Sequence, residues 1–201
     1  MQSFPLFLVS VVLISLSGVM MPGPVFAVSL AHGRKNKNAG ALVTLGHSLI
    51  ELPIMMIIFI GFGKILSNLT LRSIIGLVGG LILIYMGIEF FKVRKLESNS
   101  KFCGSNPIVS GFITSASNPY FFLWWASVGA ALIASALAYG IIGFIIFAVV
   151  HLSCDLVWLL FVSRAGYYSK RIENRIIPII CGGILVVFGF YFIISGIRIL
   201  I

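Results

Sequence analysis

From Phe102 to Cys154 the chain carries no Asp, Glu, Lys or Arg. A spanning helix needs only about 20 mainly apolar residues. This stretch is therefore long enough for more than one span, and its small-residue region from Ala134 to Gly140 is the natural hairpin. The rest of the chain agrees. Of 201 residues, 60% are hydrophobic and 9% charged, against about 25% charged in a soluble domain. A water-soluble domain of this size always presents a large shell to solvent and has nowhere to hide so much apolar surface. In lipid the backbone must satisfy its own hydrogen bonds, which leaves helices or a closed barrel. Barrel strands alternate polar and apolar residues over about ten positions. The apolar runs here are continuous and long, so the fold is all-α.

Six spans are expected: Phe4 to about Ala31, Ala39 to Phe62, Ser73 to Phe91, Ile108 to Ile133, Gly140 to Val162 and Ile176 to Ile197. The N-terminus lacks the basic residues that open a signal peptide, and its apolar run exceeds a signal core; it reads as a retained helix. The basic residues then sort by side. Arg34, Lys35, Lys37, Lys92, Arg94, Lys95, Lys101, Arg164, Lys170, Arg171 and Arg175 fall on one side, and Lys64, Arg72 and Arg198 on the other. Positive charge marks the cytoplasmic loops, so both termini are expected outside a cytoplasmic membrane. The net charge of +9 is loop charge in short clusters and does not point to nucleic acid. Cys103, Cys154 and Cys181 show no paired or metal-type spacing and read as small packing residues.

Three spans precede the loop at 97–102 and three follow it, so a repeat would be inverted in the membrane, as in many secondary transporters. The expected layout is one transmembrane domain, 1–201, with one repeat at 1–96 and the other at 103–201. Matching features recur in the same order. Pro22-Gly23-Pro24 in span one answers to Asn118-Pro119 in span four. His47 and Glu51 in span two answer to His151 and Asp155 in span five. Gly79-Gly80 and Gly87 in span three answer to Gly182-Gly183 and Gly189 in span six. The separations differ, 25 residues from Pro22 to His47 against 32 from Pro119 to His151.

Pro22-Gly23-Pro24 is the sharpest local feature. Each proline lacks an N–H and clashes with the carbonyl four residues back, so span one must break. Span four is expected to break at Asn118-Pro119, and Pro53 to make a simple kink. Freed carbonyls at membrane depth need protein or a water-filled cavity around them, and broken helices commonly form substrate sites. Glu51 and Asp155 lie mid-span, each four residues after a histidine and hence on its face. An acid at the bilayer centre costs roughly 2.5–3.5 kcal/mol and usually faces the bundle interior on an ion or proton path. The plain alternative is a buried polar pair that fixes helix packing; two pairs in matching positions favour function. Histidine titrates near neutral pH, so His47 and His151 suit a proton relay. The expected binding residues are Pro22, Gly23, Pro24, His47, Glu51, Asn118, Pro119, His151 and Asp155, with no cofactor. Trp124 and Trp125 read as packing residues, His32 as an interfacial anchor, and Glu89 as a helix-end partner of Lys92.

With these residues on the page, the chain resembles the LysE-type translocators, which export amino acids, over nearly its whole length. Pro22-Gly23-Pro24 with Gly33, Gly40 and Gly46 resembles the family's opening signature. Gly79 to Gly87 resembles its Gly-x-x-Tyr-Leu-x-x-x-Gly segment, and Asn118-Pro119 before Phe121-Phe122 its Asn-Pro-Lys and aromatic segment. Tyr120 stands where the family often has lysine, which removes a partner for a carboxylate. The resemblance implies efflux of an amino acid or similar small solute, exchanged for protons or another coupling ion. The residues alone leave a divalent-metal exporter open, with His47, Glu51, His151 and Asp155 as ligands. A membrane thiol–disulfide carrier ranks behind both, because span one has no cysteine. No Gly-x-Ser-x-Gly or His-Glu-x-x-His motif points to an enzyme. Partners are the lipid bilayer and the solute, and self-association into a homo-oligomer is left open.

Overall fold

The computed structural model describes residues 3–20, 23–61, 69–92, 106–169 and 176–200. They form helices and turns, with no strand among them. In chain order the helices are α1 (Phe4–Val19), α2 (Pro24–Gly33), α3 (Ala39–Phe59), α4 (Leu69–Lys92), α5 (Pro107–Ala116), α6 (Pro119–Trp124), α7 (Ala130–Leu137), α8 (Gly140–Tyr168) and α9 (Ile176–Leu200). A π-helical turn, Trp125–Gly129, joins α6 to α7. Among the described residues four helical segments are long and apolar enough to cross a membrane, and the bent pair α1–α2 makes a fifth. The protein is an all-α, multi-pass membrane protein.

The pattern of exposure is the one a bilayer demands. On α3, Leu45, Leu49, Leu52 and Met56 face outward, at the spacing of one helix face. The opposite face buries Thr44, His47 and Glu51. On α8, Ile141, Ile145, Val149 and Val157 face outward while His151 and Asp155 are buried. Apolar side chains toward lipid cost nothing, and polar ones gain partners inside.

Both predicted breaks are present. The axes of α1 and α2 meet at 78°, with Gly23 as N-cap and Pro24 in the first turn of α2, where a missing N–H costs nothing. Pro22 lies outside the described residues. The second break follows α5. Asn118 Oδ1 accepts from the backbone N–H groups of Tyr120 at 3.0 Å and Phe121 at 3.4 Å, and Pro119 opens α6. The same device, Asn106-Pro107, starts α5. Pro53 stays inside a continuous α3.

Two span ends lie well beyond expectation. The fourth span persists to Leu137, since Ala134 to Leu137 keep helical geometry, and the hairpin narrows to Ala138 and Tyr139. Gly140 then takes a φ of +68°, a left-handed conformation that glycine adopts without steric cost. The fifth span runs on to Tyr168 and carries Arg164 on the helix.

Helices α4 and α9 form the most extensive contact, and glycine makes it possible. A Cβ on Gly80 would stand 2.6 Å from the Gly189 carbonyl oxygen, and one on Gly87 2.8 Å from that of Gly182. Both pairs are reciprocal, so the helices run antiparallel backbone to backbone, in the small-residue mode of membrane helices.

The other glycines separate the bundle into two ends. At the end bearing Arg34, Lys35, Lys37 and Arg164, any side chain on Gly33, Gly40, Gly46, Gly111 or Gly166 would overlap the backbone of a neighbouring helix. At the opposite end large side chains carry more of the contact: Phe7 and Val11 of α1, Ile54 and Ile58 of α3, Ile133 of α7, and Phe144 and Phe147 of α8 form one apolar cluster, beside a close approach of Gly143 to the Ala136 carbonyl in the α7–α8 hairpin.

Candidate functional site

At the level of the two breaks lies a cavity of about 110 Å3. The bent first span contributes Gly18, Val19 and Gly23 to Phe26. The second break contributes Asn118, Tyr120, Phe121, Trp124 and Trp125. Helix α3 contributes His47 and Glu51; α8 contributes His151, Asp155 and Leu159; α9 contributes Phe188. Of the sequence-predicted residues, Gly23, Pro24, His47, Glu51, Asn118, His151 and Asp155 all line it. Pro119 does not; it serves as the first helical residue of α6. Among the described residues no Lys or Arg lines the cavity.

The two histidine–acid pairs form one cluster. Glu51 Oε1 lies 3.3 Å from His47 Nε2 on its own helix and 3.2 Å from His151 Nε2 on α8. His151 Nε2 is farther, 3.7 Å, from Asp155 on its own helix. The glutamate of the first half thus pairs more closely with the histidine of the second than that histidine pairs with its own aspartate. Glu51 Oε2 and Asp155 Oδ2 are buried with no hydrogen-bond partner among the described residues. Unpaired carboxylate oxygens in a low-dielectric interior are costly, so a cation or proton at this place relieves a real deficit.

Serines orient both rings. Ser115 Oγ donates to the Gly111 carbonyl at 2.7 Å. Its one proton is committed, so His47 Nδ1–H donates to Ser115 Oγ at 2.6 Å. A neutral His47 then points the bare Nε2 lone pair at Glu51. Two lone pairs 3.3 Å apart repel; a proton between them, on either partner, makes the contact a hydrogen bond. In the second half, His151 Nδ1 lies 2.8 Å from Ser15 Oγ of α1. The two serines sit in corresponding places, each on the helix that precedes a break.

Two readings from sequence are corrected by this geometry. Trp124 and Trp125 do more than pack: Trp124 stacks on the His151 ring at 5.4 Å, Trp125 meets it edge-on at 5.2 Å, and both line the cavity. The π turn and Gly129 allow this, since a Cβ on Gly129 would collide with the Trp125 ring. His32 is no interfacial anchor. It is 4% exposed and its Nε2 lies 2.9 Å from Ser110 Oγ, because the end of α2 packs on α5. The pairing of Glu89 with Lys92 lies outside the described side chains. Ser15 and Ser115 are site residues that the sequence does not mark, because serine is ordinary in membrane helices; each lies on the helix before a break.

The arrangement of broken spans around a central acid–histidine cluster now meets the comparison with known proteins. The LysE type translocator model matches residues 16–196. The chain belongs to the LysE type translocator family. Among curated proteins it is 30% identical to the "Putative amino acid efflux protein YcgF" of Bacillus subtilis (strain 168), over 94% of this chain and 96% of that one. No solved structure matches it significantly. The cavity of this translocator is therefore a feature of a transport protein. Its lining suits a cationic or amine-bearing ligand: two carboxylates, aromatic faces and, among the described residues, no Lys or Arg.

Proposed function

We propose that this translocator is a secondary exporter of amino acids, or closely related small amines, across the cytoplasmic membrane, coupled to protons. The observation that carries the reading is Glu51 held between imidazoles from two halves of the chain, in a cavity formed where two spans break. In this scheme the amine of the solute and the proton contend for Glu51 and Asp155. The carboxylate end of the solute faces the exposed N–H groups at the start of α2, where the helix dipole favours negative charge. Tyr120, in place of the family's lysine, leaves the carboxylates free of an internal ammonium partner. The family and the name of the Bacillus subtilis relative favour an organic amine over a metal ion as the exported solute.

We also read the bundle as six spans in an inverted repeat, with α1 answering to α5, α2 to α6–α7, α3 to α8 and α4 to α9. Support comes from paired contacts: α3 on α5 and α8 on α1, α2 on α3 and α7 on α8, α2 on α5 and α7 on α1. The matching serine–histidine pairs, His47 with Ser115 and His151 with Ser15, add to it. Charge bias places the basic end in the cytoplasm and both termini outside.

The test is efflux from cells or proteoliposomes loaded with a panel of labelled amino acids. An exported amino acid is expected, with rates falling at least about tenfold, or ~1.4 kcal/mol, in Glu51→Gln and in Asp155→Asn while membrane insertion is unchanged. Wild-type efflux in both variants would remove the carboxylates from the mechanism.

A further inference from the structure

We infer that the acid–histidine cluster is a seat for a divalent transition-metal ion of the Zn2+ class, and that a bound ion shuts the solute out. The seat stands on donor geometry alone, and the exclusion of solute rests on the proposed binding of the solute amine at Glu51 and Asp155. His47, Glu51 and Asp155 each offer a ligand atom, and the three atoms lie within 4.8 Å of one another. Zn2+ bonds of about 2.0–2.1 Å in a tetrahedron set neighbouring ligand atoms roughly 3.3–3.5 Å apart. The His47–Glu51 edge is already 3.3 Å. His151 Nε2 stands outside that three-residue set but beside it, 3.2 Å from Glu51 and 3.7 Å from Asp155, and would move in as the fourth donor when an ion binds.

Three further observations point to a cation. Glu51 Oε2 and Asp155 Oδ2 are buried and unpartnered; the two residues are 1% and 3% exposed. The Ser115 contact fixes the His47 tautomer with Nε2 as the inward lone pair, which is how a second shell prepares a metal-binding imidazole. Two carboxylates and two neutral imidazoles around a dication sum to zero charge, the combination that a membrane interior tolerates best. The mixed nitrogen and oxygen donors select a borderline ion over Mg2+ or Ca2+, which want oxygen alone. The ion occupies the atoms that the solute amine needs, so occupancy and solute binding exclude each other. Binding displaces the proton held between His47 and Glu51.

The experiment is calorimetric titration of the purified full chain in detergent with Zn2+, and with Mg2+ as control, with no solute present. One Zn2+ per chain is expected, with an enthalpy that varies with the buffer as the displaced proton is taken up, and no Mg2+ binding. His47→Gln and Asp155→Asn should each weaken Zn2+ at least tenfold. Ser115→Ala, which leaves every ligand in place, should weaken it about 10- to 100-fold, and His32→Gln should leave it unchanged. Thermal unfolding of each variant without metal separates lost binding from lost fold. Absence of stoichiometric Zn2+ binding by the folded wild type overturns the inference, as does binding that survives both His47→Gln and Asp155→Asn. In vesicles, Zn2+ should inhibit amino acid counterflow competitively. Zn2+ that binds and then accumulates across the membrane upholds the seat and overturns the amino acid reading. Loss of Zn2+ binding with intact amino acid export does the reverse.

Discussion

The two ends of the bundle are built differently. At the basic end, helices touch backbone to backbone: Gly46 of α3 lies against Ile108 of α5, Gly111 of α5 against Val43 of α3, and Gly33 of α2 against Ser163 of α8. Polar side chains bind across the same seams. Ser29 donates to the Leu159 carbonyl at 3.0 Å, Ser163 to that of Lys37 at 2.8 Å, and Arg34 to that of Ser169 at 3.4 Å. At the opposite end α1, α3, α7 and α8 meet chiefly through Phe, Ile and Trp side chains, with a backbone approach of Gly143 to the Ala136 carbonyl and a bond from Ser73 to the Gly196 carbonyl as the exceptions among the described residues. Nearer the cavity, the first atoms a Cβ on Gly18 would meet belong to the Trp124 ring. Backbone contact locked by hydrogen bonds has few ways to yield, whereas a side-chain cluster can repack by changing rotamers. The cavity therefore lies between an end dominated by glycine seams and an end dominated by side-chain packing. A transporter that opens each end in turn must disrupt the two by different means.

The largest effect should come from filling a backbone seam. Gly111→Leu has no space beside the Val43 carbonyl and is expected to cost about 3 kcal/mol or more, read as a loss of thermal stability in detergent and of folded yield. Next is Ser115→Ala against Ser15→Ala. Each removes the ring partner of one histidine and should cost about 1 kcal/mol, read as a severalfold fall in the export rate. Equal losses would sharpen the correspondence between halves, and a loss in one alone would break it. Smaller still is Trp124→Phe, which keeps an aromatic face on His151 and should raise the KM for solute a few-fold with little change in maximal rate. The smallest change in stability is expected for Gly18→Ala. The added methyl sits 2.9 Å from the Trp124 side chain, which can rotate away, at less than about 1 kcal/mol; a penalty equal to that of Gly111→Ala would end the contrast between ends.

Much of the site was readable from residue types alone. Glu51 and Asp155 are acids where lipid tolerates none, and the nearby prolines cannot continue a helix, so both had to gather where partners or water exist. The i to i+4 spacing placed each histidine on the face of its acid. The spacing was silent on partners across helices: it placed His151 beside Asp155, yet the ring lies closer to Glu51. Ser15 and Ser115 gave no sign either, because one hydroxyl in a membrane helix usually bonds its own backbone four residues back, as Ser10 does.

The order of apolar runs and basic loops determined a helical membrane protein, and the breaks followed from proline and asparagine chemistry, because hydrophobicity and backbone sterics act locally. Which histidine holds which carboxylate, that His32 is buried, and that glycine seams dominate one end while an apolar side-chain cluster dominates the other were decided only by tertiary packing. Those outcomes depend on how close two helix axes come, and that distance is a property of a pair of helices and of no single segment.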